Sequence, residues 1–151
     1  MDKNIVIFDI DGTIANIDHR LHYITGETPD WDKFYAECVK DTPINDIVQI
    51  AQTFMKTGHE IVFMTGRTEA IRQETYDWIK KYLGAVFGNC ALYMRNNGDH
   101  RPDAELKKEI FTAEFSKKKN KVLCVLEDRA SVVDMWRELG LTCLQVAKGD
   151  F

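Results

Sequence analysis

Near its amino end the chain carries an apolar run that stops at two carboxylates, Ile5-Val6-Ile7-Phe8-Asp9-Ile10-Asp11-Gly12-Thr13-Ile14-Ala15. The run has no polar face, which is typical of a strand that is buried on both sides at the centre of a parallel sheet. Asp9 is predicted at the carboxyl end of this strand, and Gly12 lets the chain turn sharply as it leaves the sheet. Open α/β sheets bind ligands at this edge. The stretch therefore predicts a central strand that brings carboxylates to a binding site.

The two carboxylates, Asp9 and Asp11, suit metal-assisted phosphoryl transfer. A carboxylate can attack phosphorus and form an acyl-phosphate, and a second carboxyl group nearby can protonate the leaving oxygen and then activate water. Mg²⁺ takes oxygen ligands and keeps several waters, so one or two carboxylates are enough to bind it. The alternative is a strand end with two solvated Asp side chains in a turn. This alternative stays open because so short a motif is not specific. Residues later in the chain favour the chemical interpretation.

Length, charge and cysteine content limit the class of protein. The chain has 151 residues, which fits one domain with a sizeable core. Its formal net charge of −4 argues against a broad electrostatic surface for nucleic acid or anionic membrane, although it is compatible with a small basic site for one phosphate. The four cysteines form no CxxC pair and are typical of a reducing compartment. Because the sequence shows neither a signal peptide nor a spanning segment, we expect a cytoplasmic protein without a membrane partner.

Helix-like and strand-like segments alternate along the rest of the chain. Four further apolar segments are predicted as strands: Glu60–Thr65, Ala91–Met94, Val122–Leu126 and Leu141–Val146. Helical periodicity occurs in four segments: Pro43–Thr57 with Thr42 as its N-cap, Glu69–Leu83, Asp103–Ser116 and Ser131–Leu139. This alternation predicts an α/β domain of three layers, in which helices cover both faces of a parallel sheet.

Residues 16–42 have no long periodic pattern, and only Phe34, Tyr35, Cys38 and Val39 suggest one short helix. At about 27 residues this stretch is far shorter than the ~50 residues that a small domain needs. We therefore predict that it forms a flap inserted beside the mouth of the site. The whole chain, residues 1–151, is then a single domain.

Three of the predicted buried strands end in chemically active side chains, and the helix before the fourth strand adds a lysine. These residues are Asp9 and Asp11 after the first strand, Thr65 after the second, Glu127 and Asp128 after the fourth, and Lys107 or Lys108 from the helix. Parallel strands bring their carboxyl ends to one edge of the sheet. We therefore expect these side chains to lie together.

Each group has a task in phosphoryl transfer. We expect Asp9 to attack phosphorus, and Asp11 to act first as the acid and then as the base. Asp128, Asp9 and a backbone carbonyl near Asp11 are expected to hold Mg²⁺. The hydroxyl of Thr65 is expected to donate to a phosphoryl oxygen, and the lysine to offset negative charge between Asp9 and the substrate.

This set of motifs resembles a known group of enzymes. Asp9-Ile10-Asp11-Gly12-Thr13, Thr65, a lysine and the pair Glu127-Asp128 are similar to the four motifs of the haloacid dehalogenase superfamily of phosphatases. The resemblance spans nearly the whole chain, and the combined pattern is specific. It implies a Rossmann-like sheet with strand order 5-4-1-2-3, Mg²⁺ as cofactor and an aspartyl-phosphate intermediate.

Within that superfamily, the chain most resembles the phosphatase domains of bacteriophage polynucleotide kinases. The matching segments include Thr65-Gly66-Arg67, Met94-Arg95, Lys107-Lys108-Glu109-Ile110-Phe111, Glu127-Asp128-Arg129 and Gln145-Val146-Ala147. The resemblance implies removal of 3′-phosphates, including 2′,3′-cyclic ends, during nucleic acid end repair, so the expected ligand is a phosphorylated nucleic acid end or a nucleotide. It also makes Lys107 the motif lysine and implies that Arg67 lies close to the phosphate.

The remaining expectations about the site concern contact with the substrate and the metal ion. Six residues are expected to contact substrate: Gly12, Thr13, Gly66, Arg67, Arg95 and Arg129. Glu127, expected at the metal site with Asp9, Asp11 and Asp128, stands where the relatives have Asp, and its longer side chain either loosens the metal geometry or contacts only a metal-bound water. No GxxxxGK[ST] run occurs in the chain, so 5′-kinase activity is not expected. We expect a stand-alone phosphatase or the product of a split gene.

Several arginines have a structural alternative. Arg67 either clamps a phosphate through its bidentate fork or caps the sheet edge by pairing with an Asp. Arg95 and Arg101 flank a polar loop, which either reaches a nucleic acid backbone or is simply solvated. Arg129 either contacts the substrate or pairs with a carboxylate.

The aromatic residues of the flap, Trp31, Phe34 and Tyr35, also allow two interpretations. They either stack on a base, as aromatic side chains do in single-strand sites, or fasten the flap to the core. The run Lys117–Lys119 either steers a polyanion or forms a solvated loop.

Three functions compete at this point. The first is an enzyme that removes 3′-phosphates from DNA or RNA ends, and the second is a phosphatase of nucleoside monophosphates or other small phosphate esters. A short flap leaves the site open, which suits a polymer end, whereas an enzyme for small molecules usually needs a lid. The third is a non-catalytic module that binds phosphorylated ends. The presence of every motif residue type favours an enzyme.

Overall fold

The computed structural model describes residues 2–84 and 90–150. Within them the strands are β1 (Ile5–Phe8), β2 (Ala15–Asn16), β3 (Thr42–Pro43), β4 (Glu60–Thr68), β5 (Cys90–Arg95), β6 (Val122–Glu127) and β7 (Cys143–Gln145). Five of these form a parallel sheet in the order β5-β4-β1-β6-β7, and β2 pairs with β3 in antiparallel fashion. Numbered among the parallel strands alone, the order is 3-2-1-4-5, which corresponds to the predicted order read from the opposite edge. The antiparallel pair was not predicted.

Helices cover both faces of the sheet, as predicted. In the described residues they are α1 (Trp31–Ala36), α2 (Asn45–Lys56), α3 (Arg72–Leu83), α4 (Asp103–Phe115) and α5 (Ala130–Glu138). Val6 and Phe8 of β1 pack in the core formed with α2 and α3. Ile5 and Ile7 point to the opposite face and pack in the core formed with α4 and α5. Because β1 is central and successive side chains point to opposite faces, both sets must be apolar.

The start of α2 differs from the prediction. Thr42 is not the N-cap, because Thr42 and Pro43 form β3 and pair with β2. A residue that precedes proline is biased towards extended backbone, and the N–H of Ile44 donates to the carbonyl of Ile14 at 2.8 Å. The helix therefore begins two residues later than predicted, at Asn45.

The other boundaries differ less. The first residues of the predicted helix after β4, Glu69–Ile71, form a 3-10 turn before α3. The one short helix predicted in the flap is divided in the structure: Phe34 and Tyr35 lie in α1, whereas Cys38 and Val39 lie in a 3-10 turn at Glu37–Lys40. A second 3-10 turn, Asp18–Tyr23, precedes α1. In the ranges 2–84 and 90–150 there is no helix of the length and apolarity that crossing a bilayer requires.

Candidate active site

The carboxyl edge of the sheet brings together the side chains that the motifs predicted. Asp9 follows β1, Thr65 lies in β4, and Glu127 ends β6 with Asp128 directly after it. All four are nearly inaccessible to solvent. They line a cavity of about 940 Å³ that extends along the flap. The strand ends thus form the floor of one site.

Asp9 is fixed by two donors from different elements. The hydroxyl of Thr13 donates to Asp9 Oδ2 at 2.9 Å, and Lys107 Nζ donates to Asp9 Oδ1 at 2.7 Å. Lys107 Nζ also donates to Glu127 Oε2 at 2.7 Å. Lys107 is buried, whereas Lys108 is exposed. Of the two lysines that the residue pattern allowed, the structure brings Lys107 to the site.

Three carboxylates lie close together at the site, and Lys107 Nζ pairs with two of them, Asp9 and Glu127. One oxygen each from Asp9, Glu127 and Asp128 lie within 4.8 Å of one another. Burial and the charge of Glu127 raise the pKa of Asp9 to about 7, against the opposing effect of Lys107. Burial and the charge of Asp9 raise the pKa of Asp128 to about 7 as well. A divalent cation would relieve this repulsion.

The oxygen cluster fits Mg²⁺ in both chemistry and space. Carboxylate oxygens are the ligands that Mg²⁺ takes in proteins. Gly12 has φ +81, and a Cβ placed on it would lie 2.2 Å from Asp128 Oδ2. Only a residue without a side chain therefore lets the turn after β1 approach the Asp128 carboxylate. Both Glu127 oxygens already accept hydrogen bonds within the protein: Oε1 from the backbone N–H of Asp128 at 3.2 Å and Oε2 from Lys107 Nζ at 2.7 Å.

Asp11 is held by two arginines. Its Oδ1 accepts from Arg20 Nη2 at 2.9 Å, from Arg67 Nε at 2.8 Å and from Arg67 Nη2 at 2.6 Å. Burial alone would raise the pKa of Asp11, but the charges of Arg67 and Arg20 outweigh it and hold the pKa below its usual value. Asp11 is therefore ionised in this structure, as a general base must be.

A buried acid that the sequence reasoning missed, Asp41, joins the two arginines. Asp41 accepts from Arg20 Nε and Nη2, each at 2.7 Å, and from Arg67 Nη2 at 2.7 Å. Its backbone carbonyl accepts from Trp78 Nε1 at 2.8 Å. Arg20, also missed, has no exposed surface. Both lie in the flap, far along the chain from their partners, so no local pattern marks them.

In this structure Arg67 pairs with acids at the sheet edge, which is the second of its two predicted roles. Besides Asp11 and Asp41, it contacts the Thr75 hydroxyl through Nη1 at 3.2 Å. Its backbone N–H donates to Thr65 Oγ1 at 3.1 Å. The Arg67 guanidinium thus pairs with acids at the sheet edge, and it lies beside the cavity where a phosphate would compete for its donors.

Arg95 holds the polar loop after β5 together. It donates to the carbonyls of Gly66 at 3.0 Å, Asp99 at 3.2 Å and Arg101 at 2.6 Å, and it pairs with the carboxylate of Asp103. Arg95 is 7% exposed. The loop is therefore ordered by Arg95 rather than freely solvated. Arg95 lines the cavity, but its donors point into the protein.

The Asp103 carboxylate also lies close to two other residues of the site, Gly66 and Arg129. A Cβ placed on Gly66 would lie 2.6 Å from Asp103 Oδ1, so Gly66 permits this close approach. Arg129 Nη1 lies 3.4 Å from Asp103 Oδ2, and the Arg129 side chain is 37% exposed. Arg129 pairs with a carboxylate, as one alternative held, and also lines the cavity.

The lysine run lies elsewhere. Lys117 and Lys119 line a separate cavity of about 420 Å³ with Lys3, at the amino ends of the strands. This is the edge of the sheet opposite Asp9. These lysines do not contact the candidate active site.

The comparisons with known proteins agree with this arrangement. A family model of the haloacid dehalogenase superfamily, described as the polynucleotide kinase PNKP phosphatase domain, matches residues 3–151. At 32% identity over 136 residues, the chain is similar to a protein of Autographa californica nuclear polyhedrosis virus that is designated a bifunctional polynucleotide kinase/RNA ligase. That match covers 89% of this chain and 18% of the viral protein.

Two solved structures extend the comparison. The chain is similar to a chain of the Pnkp1/Rnl/Hen1 RNA repair complex, with a TM-score of 0.78, 32% identity and coverage of 98% of this chain and 44% of that chain. It shares its fold with a hydrolase from Streptococcus pneumoniae TIGR4, with a TM-score of 0.61, 12% identity and coverage of 98% and 95%. The chain thus spans less than half the length of the first two relatives.

Proposed function

Because this chain belongs to the family of polynucleotide kinase phosphatase domains in the haloacid dehalogenase superfamily, we propose that it removes 3′-phosphates from polynucleotide ends with the help of Mg²⁺. Membership of this family makes the protein a phosphatase. What we propose is the identity of its substrate and of its metal ion. The viral polynucleotide kinase homologue and the RNA repair complex support a substrate at a nucleic acid end. The observation that carries the chemistry is Asp9, which Lys107 and Thr13 hold within 4.8 Å of two further carboxylates.

In the first step, a carboxylate oxygen of Asp9 attacks the phosphorus of the 3′-phosphate. The new Asp9–phosphorus bond replaces the bond from phosphorus to the 3′-oxygen, and Asp11 gives its proton to that oxygen. Asp11 must therefore be protonated when substrate is bound. A phosphate dianion beside Asp11 favours this, because it repels the Asp11 charge and competes for the donors of Arg20 and Arg67.

In the second step, water attacks the phosphorus of the aspartyl-phosphate and Asp11 takes the proton. The bond from Asp9 to phosphorus breaks, which releases inorganic phosphate, restores the Asp9 carboxylate and leaves Asp11 protonated, as the first step of the next cycle requires. The arginine pairing seen here suits this step, since it keeps Asp11 ionised. Lys107 offsets the charge that develops at Asp9, and the Thr65 hydroxyl donates to a phosphoryl oxygen.

The cation would be held by Asp9, Asp128 and the backbone near Asp11, with Glu127 in support. When bound, it supplies charge neutralisation and orients the phosphate. Gly12, Gly66 and Arg129 shape the cavity around the phosphate, and Arg95 acts through the loop that it orders.

The test is phosphate release, with Mg²⁺ present, from a 3′-phosphorylated oligonucleotide, the same oligonucleotide with a 5′-phosphate, and a mononucleoside 3′-phosphate. We expect the 3′-phosphorylated oligonucleotide to be the best substrate and Asp9→Asn to abolish turnover. Asp134→Asn, at an exposed position of α5, is the matched control and should leave the rate unchanged. Faster hydrolysis of the mononucleotide would instead indicate a phosphatase of small phosphate esters.

A further inference from the structure

The cavity next to the phosphate site is larger than a phosphate needs, and its flap side is apolar. Its volume is about 940 Å³. The floor consists of the charged groups at the strand ends, whereas the flap contributes Ile17, Leu21, Ile24, Trp31 and Tyr35. A site that bound only phosphate would have no use for such a wall, because apolar side chains offer an anion neither charge nor hydrogen bonds. The wall must face a different part of the substrate.

Trp31 is the most unusual member of this wall. Its exposed fraction is 50%, whereas Trp78 and Trp136 are 4% and 0% exposed. Phe34, one turn further along α1, is 4% exposed. Phe34 therefore fastens the flap to the core, and Trp31 does not. A large aromatic side chain that lines a cavity while half exposed is typical of a binding surface.

The ring of Trp31 is held in position by its neighbours. It meets Phe34 edge to face at 5.6 Å and an interplanar angle of 85°, and it lies 5.9 Å from the Tyr35 ring at 31°. The Arg20 guanidinium lies 4.2 Å from the centre of the Phe34 ring and donates to Asp11. A chain of contacts thus links the aromatic wall to the phosphoryl-transfer groups. A bound phosphate and the Trp31 ring belong to one continuous site.

We propose that Trp31 stacks on the nucleobase of the 3′-terminal nucleotide, while its phosphate lies at Asp9. This inference rests on the proposed function. A base presents a flat, uncharged π-face, which matches a half-exposed indole held by the rings of Phe34 and Tyr35. A sugar phosphate without a base would leave this apolar wall in water. The enzyme thereby selects nucleotide ends over other phosphate esters of similar charge.

The first test uses Trp31 as its own reporter, because the other two tryptophans are buried. Asp9→Asn protein with Mg²⁺ is titrated with a nucleoside 3′-monophosphate, with ribose phosphate and with inorganic phosphate, and tryptophan fluorescence is recorded. We expect the nucleoside phosphate to quench the fluorescence and to protect it from iodide, and the other two to do neither. Equal responses to all three ligands, or none to the nucleotide, would overturn the proposal.

The second test compares two 3′-phosphorylated oligonucleotides, one with a terminal base and one with an abasic terminal residue. Wild type should prefer the former, and Trp31→Ala should lower kcat/KM for it roughly 5- to 150-fold, the range for loss of one stacking contact. The rate on the abasic end should hardly change. Trp31→Phe should recover most of the loss, and Leu144→Ala, at an exposed site on β7, is the matched control.

The outcomes separate the two proposals. Equal rates of wild type on both oligonucleotides would refute stacking and leave the 3′-phosphatase activity standing. No phosphate release from either oligonucleotide would refute the proposed function, and the stacking proposal would fall with it. A loss in Trp31→Ala that is the same on both ends would mean that Trp31 supports the flap rather than the base.

Discussion

Replacing Gly12 by alanine tests whether the turn after β1 and the Asp128 carboxylate form one unit. Gly12 has φ +81, a conformation that costs an L-residue about 1–2 kcal/mol. The added Cβ would lie 2.2 Å from Asp128 Oδ2 and 2.8 Å from its Cγ. To restore van der Waals contact, the carboxylate must move by about 1 Å, a displacement that typically lowers an enzymatic rate ~10²-fold.

The chain offers a matched control for the backbone part of this effect. Gly58 has φ +85, and a Cβ placed on it would meet nothing within 4 Å. Gly58→Ala thus carries the same conformational cost without the clash. The backbone conformation should cost each variant about 1–2 kcal/mol of unfolding free energy, which lowers Tm by about 2–8 °C in a domain of this size. The clash adds to this loss in Gly12→Ala alone. Only Gly12→Ala should lose the ~10²-fold in rate.

The assay measures initial rates of phosphate release at saturating Mg²⁺, alongside urea unfolding of each variant. A Gly12→Ala enzyme that keeps its rate within a few fold of wild type would refute the reasoning, since it would show that the Asp128 carboxylate can shift without consequence. Equal rate losses in Gly12→Ala and Gly58→Ala would also contradict it, because the clash would then be irrelevant.

Three further predictions follow from the same geometry. Arg20→Met leaves the buried Asp41 carboxylate with one arginine fewer, so urea unfolding should show a loss of about 3–5 kcal/mol; an unchanged midpoint would contradict the buried ion-pair network. EDTA should abolish phosphate release, and added Mg²⁺ should restore it. Mg²⁺ should also raise Tm, because a cation at 100 times its Kd stabilises the fold by ~2.7 kcal/mol. A Tm that does not respond to Mg²⁺ would argue against the carboxylate cluster as the metal site. Phe111→Ala removes a buried ring that packs 5.5 Å from Trp136, which should cost about 3–5 kcal/mol in urea unfolding and leave the rate per folded molecule unchanged.

The sequence predicted the parallel sheet and the position of its chemical groups because both depend on short-range pattern. A short apolar run without a polar face is typical of a strand buried on both sides, and β1 is such a strand. A residue that follows such a strand must lie at its carboxyl edge, which is where Asp9 lies. The end of α2 was predictable for a similar reason, since Gly58 terminates it with a positive φ.

Features that depend on distant partners were missed. Arg20 and Asp41 are 21 residues apart, and nothing local distinguishes them from solvated flap residues. The donors of Arg95 could not be assigned for a different reason: their partners at Asp99 and Arg101 are close in sequence, but a loop without periodicity does not show that it folds back on this arginine. The prediction of Thr42 as the N-cap of α2 was wrong. Its residue type suits an N-cap, but its backbone is part of β3 and pairs with β2.

The pairing of β2 with β3 has a consequence for how such a protein can be altered. Because Ala15 pairs with Pro43, the flap departs from and returns to the domain at a single point. Arg20 and Asp41 bracket the intervening segment close to its two ends and anchor it to the catalytic edge. Residues 21–40 are therefore a segment that a protein engineer can exchange in chimaeras, provided that the new segment keeps a buried ring at Phe34 against Arg20. Such an exchange leaves β1, and Asp9 directly after it, in place.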